Sequence, residues 1–141
     1  MQGYKLCSQL ESLEIDTYSV LDEQLCKSLT SLKCLYFVDV QETRLTEEQE
    51  SALQHLTSLQ ELHFLQCNTL GELPVGLHCL MSLMKLEVSA CPLILKLPET
   101  GLPALEESEI THCSMELTEQ CRKLALATSQ PRVKINYEYV N

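Results

Sequence analysis

Apolar and polar residues alternate in short segments that recur along the chain. The segments "LTSLQELHFLQC" at 56–67 and "LMSLMKLEVSAC" at 80–91 share one frame, with leucines at fixed positions and a cysteine at the end. A third copy at 102–113 keeps the frame except for Ser108, which replaces a leucine. The alternation of apolar and polar positions inside each copy predicts a β-strand with one buried face.

Two weaker copies of the frame precede these three. Segment 29–40 fits it with Val40 in the place of the cysteine, and segment 8–18 fits it through its apolar positions. The second leucines of the five copies are 22, 27, 24 and 22 residues apart, and this spacing is typical of leucine-rich repeats. One copy cannot bury its leucines alone, so stacked copies should form a parallel sheet. The predicted strand cores are Leu13–Ile15, Leu35–Phe37, Leu62–Phe64, Leu86–Val88 and Ser108–Ile110.

The sequence therefore predicts an α/β fold, a right-handed leucine-rich-repeat solenoid of about five repeats. Its parallel sheet should lie on the concave side, with irregular or short helical returns on the convex side. Thr46 and Gln49 form a capping box that predicts a helix in the return at 45–56. Leu73-Pro74 and Leu97-Pro98 predict extended or turn-like backbone in the next two returns.

The last part of the chain departs from the repeated frame. Segment 115–127 predicts a helix capped by Thr118, and the alternation in "RVKINYEYV" predicts one strand after it. We expect a single domain over 1–141, with repeats at 1–113 and a C-terminal cap at 114–141. The start has no comparable cap, so we expect a fragment of a longer repeat array.

Charge and cysteine usage narrow the class of protein. The net charge is −10, and residues 1–114 carry 17 acidic and 6 basic side chains. This charge argues against nucleic acid or an anionic membrane as the main partner. Eight cysteines occur without any C-x-x-C pair, and Cys67, Cys91 and Cys113 recur in register with the leucines. That register predicts packed free thiols, with no disulfide and no metal site.

The alternation also defines a second, outward-facing set of side chains. It predicts a column of Glu14, Tyr36, His63, Glu87 and Glu109 on the concave side, with a second column beginning at Asp16. We expect an acidic surface with an apolar patch of Tyr36, Val38 and Leu65 in its middle. This surface is the candidate protein-binding site, with residues Tyr36, Val38, His63, Leu65, Lys85, Glu87 and Glu109.

No catalytic motif accompanies this surface. The chain has no G-x-S-x-G, no H-E-x-x-H and no G-x-x-x-x-G-K-[ST] sequence. We therefore expect a binding protein that is not an enzyme and uses no cofactor.

The frame and the tail together resemble one protein family. The continuations "CNTLGELP" and "CPLILKLP", and the ending "LTEQCRKLA" followed by "VKINYEYVN", are similar to the C-terminal leucine-rich-repeat region of plant nucleotide-binding leucine-rich-repeat (NB-ARC LRR) disease-resistance proteins. The resemblance implies a recognition module of an intracellular immune receptor that senses pathogen effectors and restrains the receptor in plant defence. The implied partners are an effector, a host target or the receptor's own nucleotide-binding module. The implied location is the cytoplasm or the nucleus.

A second class of protein also uses cysteine-containing leucine-rich repeats. In F-box ubiquitin-ligase adaptors such repeats bind the substrate, but their arrays are more regular and carry a helix in most returns. The unequal spacings and the two Leu-Pro returns favour the immune receptor. The sequence upstream of Met1 in the parent gene, a nucleotide-binding module or an F-box, would separate the two.

Overall fold

The computed structural model describes residues 8–97, 104–127 and 131–141, and these residues form an α/β fold around one seven-stranded sheet. Each strand lies beside its sequence neighbour; the first six run parallel, and the seventh is antiparallel to the sixth. All five predicted strand cores are confirmed. Met1, Leu6 and the segment 98–103 lie outside the described residues. The strands are β1 (Ser12–Ile15), β2 (Cys34–Val38), β3 (Glu61–Leu65), β4 (Lys85–Ser89), β5 (Glu107–Thr111), β6 (Arg132–Ile135) and β7 (Glu138–Tyr139).

Two short α-helices follow the first two strands. Helix α2 (Glu47–Leu53) is the predicted one, and its capping box joins Thr46 and Gln49 through contacts of 3.0 and 3.2 Å. Helix α1 (Glu23–Ser28) was not predicted, although its signal is present in the sequence. The Asp22 carboxylate caps it by accepting a hydrogen bond of 2.7 Å from the Leu25 amide.

The return between β3 and β4 contains no α-helix. Its backbone is irregular around Leu73 and Pro74 and then forms a 3₁₀ turn at Leu77–Cys79. This confirms the extended or turn-like backbone predicted from the proline, which favours extended backbone at the residue before it. A second 3₁₀ turn, Tyr18–Val20, follows β1.

The C-terminal helix α3 (Met115–Ala127) spans the predicted segment, but its cap differs from the predicted one. Ser114 caps this helix, because its hydroxyl accepts a 3.1 Å hydrogen bond from the Leu117 amide. The predicted cap at Thr118 is wrong, because Thr118 is already helical and its hydroxyl donates back to the Ser114 carbonyl at 2.8 Å. Helix α3 buries Leu117, Cys121 and Ala125, as expected from their spacing.

The single strand predicted at the C-terminus is instead a β-hairpin. Strand β6 pairs with β5, and the chain then reverses at Asn136 and Tyr137 so that β7 pairs with β6. Both turn residues have positive φ, 47° and 75°, which is the geometry of a tight two-residue hairpin turn. Tyr137 is consequently 67% exposed.

One face of the sheet, here called the leucine face, packs against the return segments and the helices. Leu35, Leu62 and Leu86 lie in register on this face and are at most 1% exposed. Phe37 and Phe64 stack beside them with their ring centroids 5.0 Å apart. This continuous apolar layer is the core of the protein. Ser108 occupies the leucine position of β5 and is buried, so the strand forms despite the substitution.

The chain leaves β2 to β5 through the same corner. The residue after each strand has a positive φ between 51° and 56°, and none of these residues is glycine. Cys67, Cys91 and Cys113 follow this residue, and each thiol lies near a backbone carbonyl of the preceding strand. The carbonyls are those of Phe37, Phe64 and Val88, at 3.6, 3.5 and 3.2 Å. The recurring cysteine therefore ties the corners after β3, β4 and β5 to the strand before each of them.

No helix in the described residues has the length and apolarity required to cross a membrane.

Candidate functional site

The other face of the sheet, here called the open face, presents the outward-facing residues in register. The predicted column is confirmed, because Glu14, Tyr36, His63, Glu87 and Glu109 are successive partners across β1 to β5. The second column, Val38, Leu65, Ser89 and Thr111, is aligned in the same way. The expected candidate residues therefore share one surface, although they come from strands 22 to 27 residues apart.

The apolar patch of Tyr36, Val38 and Leu65 lies in the middle of the open face. Val38 and Leu65 are register partners, and Tyr36 lies two residues before Val38 on the same strand. All three side chains are partly exposed. The structure thus brings together the three apolar residues that the alternation predicted, and leaves them accessible to another molecule.

His63 belongs to this face but is not exposed as expected. Only 4% of it is accessible, because the ring of Tyr36 stacks on it with centroids 4.4 Å apart and an interplanar angle of 11°. Its Nδ1 lies 2.6 Å from Glu87 and its Nε2 lies 3.0 Å from Glu61. Both nitrogens face carboxylates, so both contacts are hydrogen bonds when the ring carries two N–H protons. His63 is therefore a support beneath Tyr36 and not an exposed contact residue.

The contacts of this cluster favour the charged form of Glu87. The hydrogen bond from His63 lowers the pKa of Glu87 below its ordinary value of 4.5, with a further contribution from the charge of Lys85. Partial burial of the carboxyl opposes this effect. Glu87 is thus held as a carboxylate within the cluster.

Over β4 to β6, lysine side chains pair with the carboxylates of the expected acidic surface. Lys85 lies 3.4 Å from Glu107 and 3.5 Å from Glu109, and Lys134 lies 3.9 Å from Glu109. Glu109 is consequently only 8% exposed, which corrects the expectation that it points freely into solvent. Alternation places a side chain on a face, but it does not reveal that neighbouring long side chains cover it.

The C-terminal hairpin extends the open face by residues that the sequence did not single out. The Tyr139 hydroxyl donates a 2.6 Å hydrogen bond to Glu107, which lowers the pKa of that carboxyl. The guanidinium of Arg132 lies 3.9 Å from the centroid of the Tyr139 ring. These contacts depend on the turn between β6 and β7, which the simple alternation did not predict.

The cysteines of the described residues are free thiols. The seven cysteines within the described residues are unpaired. Burial raises the pKa of Cys26 to about 11 and that of Cys121 to about 12, so both remain protonated thiols. In the described part of the chain, no group of three histidine, cysteine or carboxylate side chains is arranged to hold a metal ion.

The open face is therefore an assembly of one half-exposed apolar patch, one buried histidine and a compensated charge network. No model of a protein family matches the chain, and no curated protein and no solved structure shows significant similarity to it.

Proposed function

We propose that the chain is a right-handed leucine-rich-repeat solenoid whose open, concave face binds another protein. Five sequence repeats coincide with five successive parallel strands, and the leucines of neighbouring repeats are register partners. The observation that carries the binding role is the partly exposed patch of Tyr36, Val38 and Leu65. An aromatic residue beside two aliphatic residues is typical of energetically important contacts in protein interfaces.

In this proposal the chain is the recognition module of a plant intracellular immune receptor of the nucleotide-binding leucine-rich-repeat class. The module senses a pathogen effector or a host target, and it restrains the receptor through its nucleotide-binding module. The support is the resemblance of the frame and the tail to that family. Irregular return segments, of which the one around Pro74 holds no α-helix, favour this class over an F-box adaptor.

Selection of peptides from a random phage-displayed library on the purified chain tests the binding role. Selected peptides should bind Tyr36→Ala and Leu65→Glu at least about fivefold more weakly than the wild type, which corresponds to about 1 kcal/mol. The matched control is Glu72→Ala, since Glu72 is exposed on a return segment away from the open face.

Each variant must first show the wild-type melting temperature, so that loss of binding is separated from loss of folding. Peptides that lose affinity for Glu72→Ala but not for the two open-face variants would contradict the proposal. Failure to select any peptide whose binding depends on the open face would contradict it as well.

A further inference from the structure

Among the described residues, the ring of Tyr36 has one stacking partner, His63. In its column Tyr36 lies between Glu14 on β1 and His63 on β3. His63 stacks against one ring face at 4.4 Å, so the opposite ring face is directed toward β1. The residue on that side is Glu14, whose side chain is exposed. An electron-rich ring face and a carboxylate therefore border the same open space.

The carboxylates near β1 differ from those on the rest of the open face in their ion pairs. Glu61 and Glu87 contact His63, while Glu107 and Glu109 contact Lys85. Glu14 and the neighbouring Asp16 form no ion pair with any of the described residues, and both are exposed. Within the described residues, Glu14 and Asp16 thus place negative charge without an ion pair on the β1 side of Tyr36.

The opposite end of the same face shows cations beside a tyrosine ring and a carboxylate. There Arg132 lies 3.9 Å and Lys134 lies 5.3 Å from the centroid of the Tyr139 ring, while the hydroxyl of that tyrosine donates to Glu107. A guanidinium is planar, so it stacks on an aromatic ring and still presents two N–H groups to a carboxylate. The ammonium of lysine is a more strongly hydrated point charge without this planar fork, and Lys134 accordingly lies further from the ring than Arg132 does.

We propose that Tyr36 and Glu14 form a binding slot for an arginine side chain of the protein partner. The guanidinium stacks on the free face of Tyr36 and pairs with the carboxylate of Glu14, and Asp16 adds to the attraction. Val38 and Leu65 lie one column further along the strands and contact an apolar residue two positions from the arginine in an extended segment. This inference rests on the proposed function, because it names the partner chemistry that the same face recognises.

Nuclear magnetic resonance titration with two matched peptides tests the slot directly. The probes are acetyl-Gly-Arg-Gly-Leu-Gly-amide and the same peptide with lysine in place of arginine, which carry equal charge. The arginine peptide should shift the backbone amides of Glu14, Tyr36 and Val38. It should bind about two- to fivefold more tightly than the lysine peptide, as expected for an exposed cation–π contact.

Two variants test whether Tyr36 and Glu14 are responsible for the binding of the arginine peptide. Tyr36→Leu keeps an apolar side chain but removes the ring, so it should abolish the preference for arginine. Glu14→Gln should weaken both peptides by about two- to fivefold, since it removes one exposed charge. The controls are Tyr137→Leu, which removes an exposed tyrosine on the hairpin turn, and Glu72→Gln on a return segment. Neither control should change the affinity of either peptide.

Equal affinity of the two peptides for the wild type, shifts centred on the acidic helix α2, or the absence of saturable binding would each overturn the slot. The phage-displayed selection separates this failure from failure of the proposed function. Enrichment of arginine among peptides that depend on Leu65 supports the slot. Peptides that depend on Leu65 but show no enrichment of arginine would refute the slot and leave the binding role intact.

Discussion

The leucine face and the open face belong to the same strands, yet they are organised by different interactions. On the leucine face, similar apolar side chains repeat from strand to strand, and their contacts are summed over the whole layer. On the open face, each strand contributes different residues, and specific pairs such as His63 with Glu87 decide which side chains are accessible. The repeated face therefore provides stability, while the residues of the variable face are free to differ from strand to strand.

The largest expected effect comes from breaking the leucine face. Leu62→Ala should lower the free energy of unfolding by about 2–5 kcal/mol, because it leaves a cavity in a fully buried layer. The matched control is Leu65→Ala on the open face of the same strand, where the leucine is partly exposed. Chemical denaturation of both variants measures the difference. Equal losses for the two variants would contradict the contrast between the faces.

The cluster beneath Tyr36 should make a smaller contribution that depends on pH. Glu87→Gln should lower the free energy of unfolding by about 1 kcal/mol at neutral pH, because a neutral hydrogen bond replaces a charge-assisted one. Interaction with His63 lowers the pKa of Glu87 in the folded state, so the wild type holds this advantage above the ordinary value of 4.5. The advantage disappears as the pH falls through the lowered pKa of the folded protein.

Denaturation of the wild type and of Glu87→Gln between pH 7 and pH 3 measures this dependence. The two stability curves should converge on the acidic side. Glu72→Gln, a change at an exposed carboxylate, is the control and should follow the wild type throughout. A difference between the wild type and Glu87→Gln that is largest at pH 3 would show that His63 does not stabilise the carboxylate.

A still smaller change, an increase in the free energy of unfolding, is expected at a corner, the residue that follows a strand. Ala90 has a φ of 53° and no polar side chain to favour that conformation. Ala90→Gly should raise the free energy of unfolding by about 0.5–1 kcal/mol, because glycine adopts positive φ without steric cost. Ala125→Gly, within helix α3, is the control and should lower stability. Destabilisation by Ala90→Gly would indicate that the methyl group contributes packing that exceeds the backbone strain.

The reactivity of the thiols distinguishes exposed from buried positions without any substitution. Of the cysteines in the described residues of the native protein, the exposed Cys79 should react first with a thiol reagent, and the buried Cys26 and Cys121 should react slowly. Burial removes access to these two thiols and raises their pKa values, so little thiolate is present. After denaturation without reductant, the count should approach the eight cysteines of the sequence. Fewer than about five would indicate disulfides and an oxidising compartment.

Much of the sheet was predictable because its signal is repeated. Period-two alternation located the cores of β1 to β5, and the spacing of the repeats placed Tyr36 opposite His63 and Val38 opposite Leu65. The capping box at Thr46 located α2. Helix α1 had an equally local signal in Asp22, followed by apolar residues at helical spacing, and it was missed although the sequence carries it.

The remaining features depend on contacts between residues that are distant in the sequence. Alternation alone determined that His63 and Glu109 lie on the open face, but their burial results from Tyr36 and Lys85, which belong to neighbouring strands. The hairpin at Asn136 was missed because its alternating residues are equally compatible with one longer strand. The sequence by itself thus determined which residues share a face, since that follows from local backbone geometry. Only the tertiary structure decided which of them are exposed, because accessibility depends on side chains brought together by the stacking of strands.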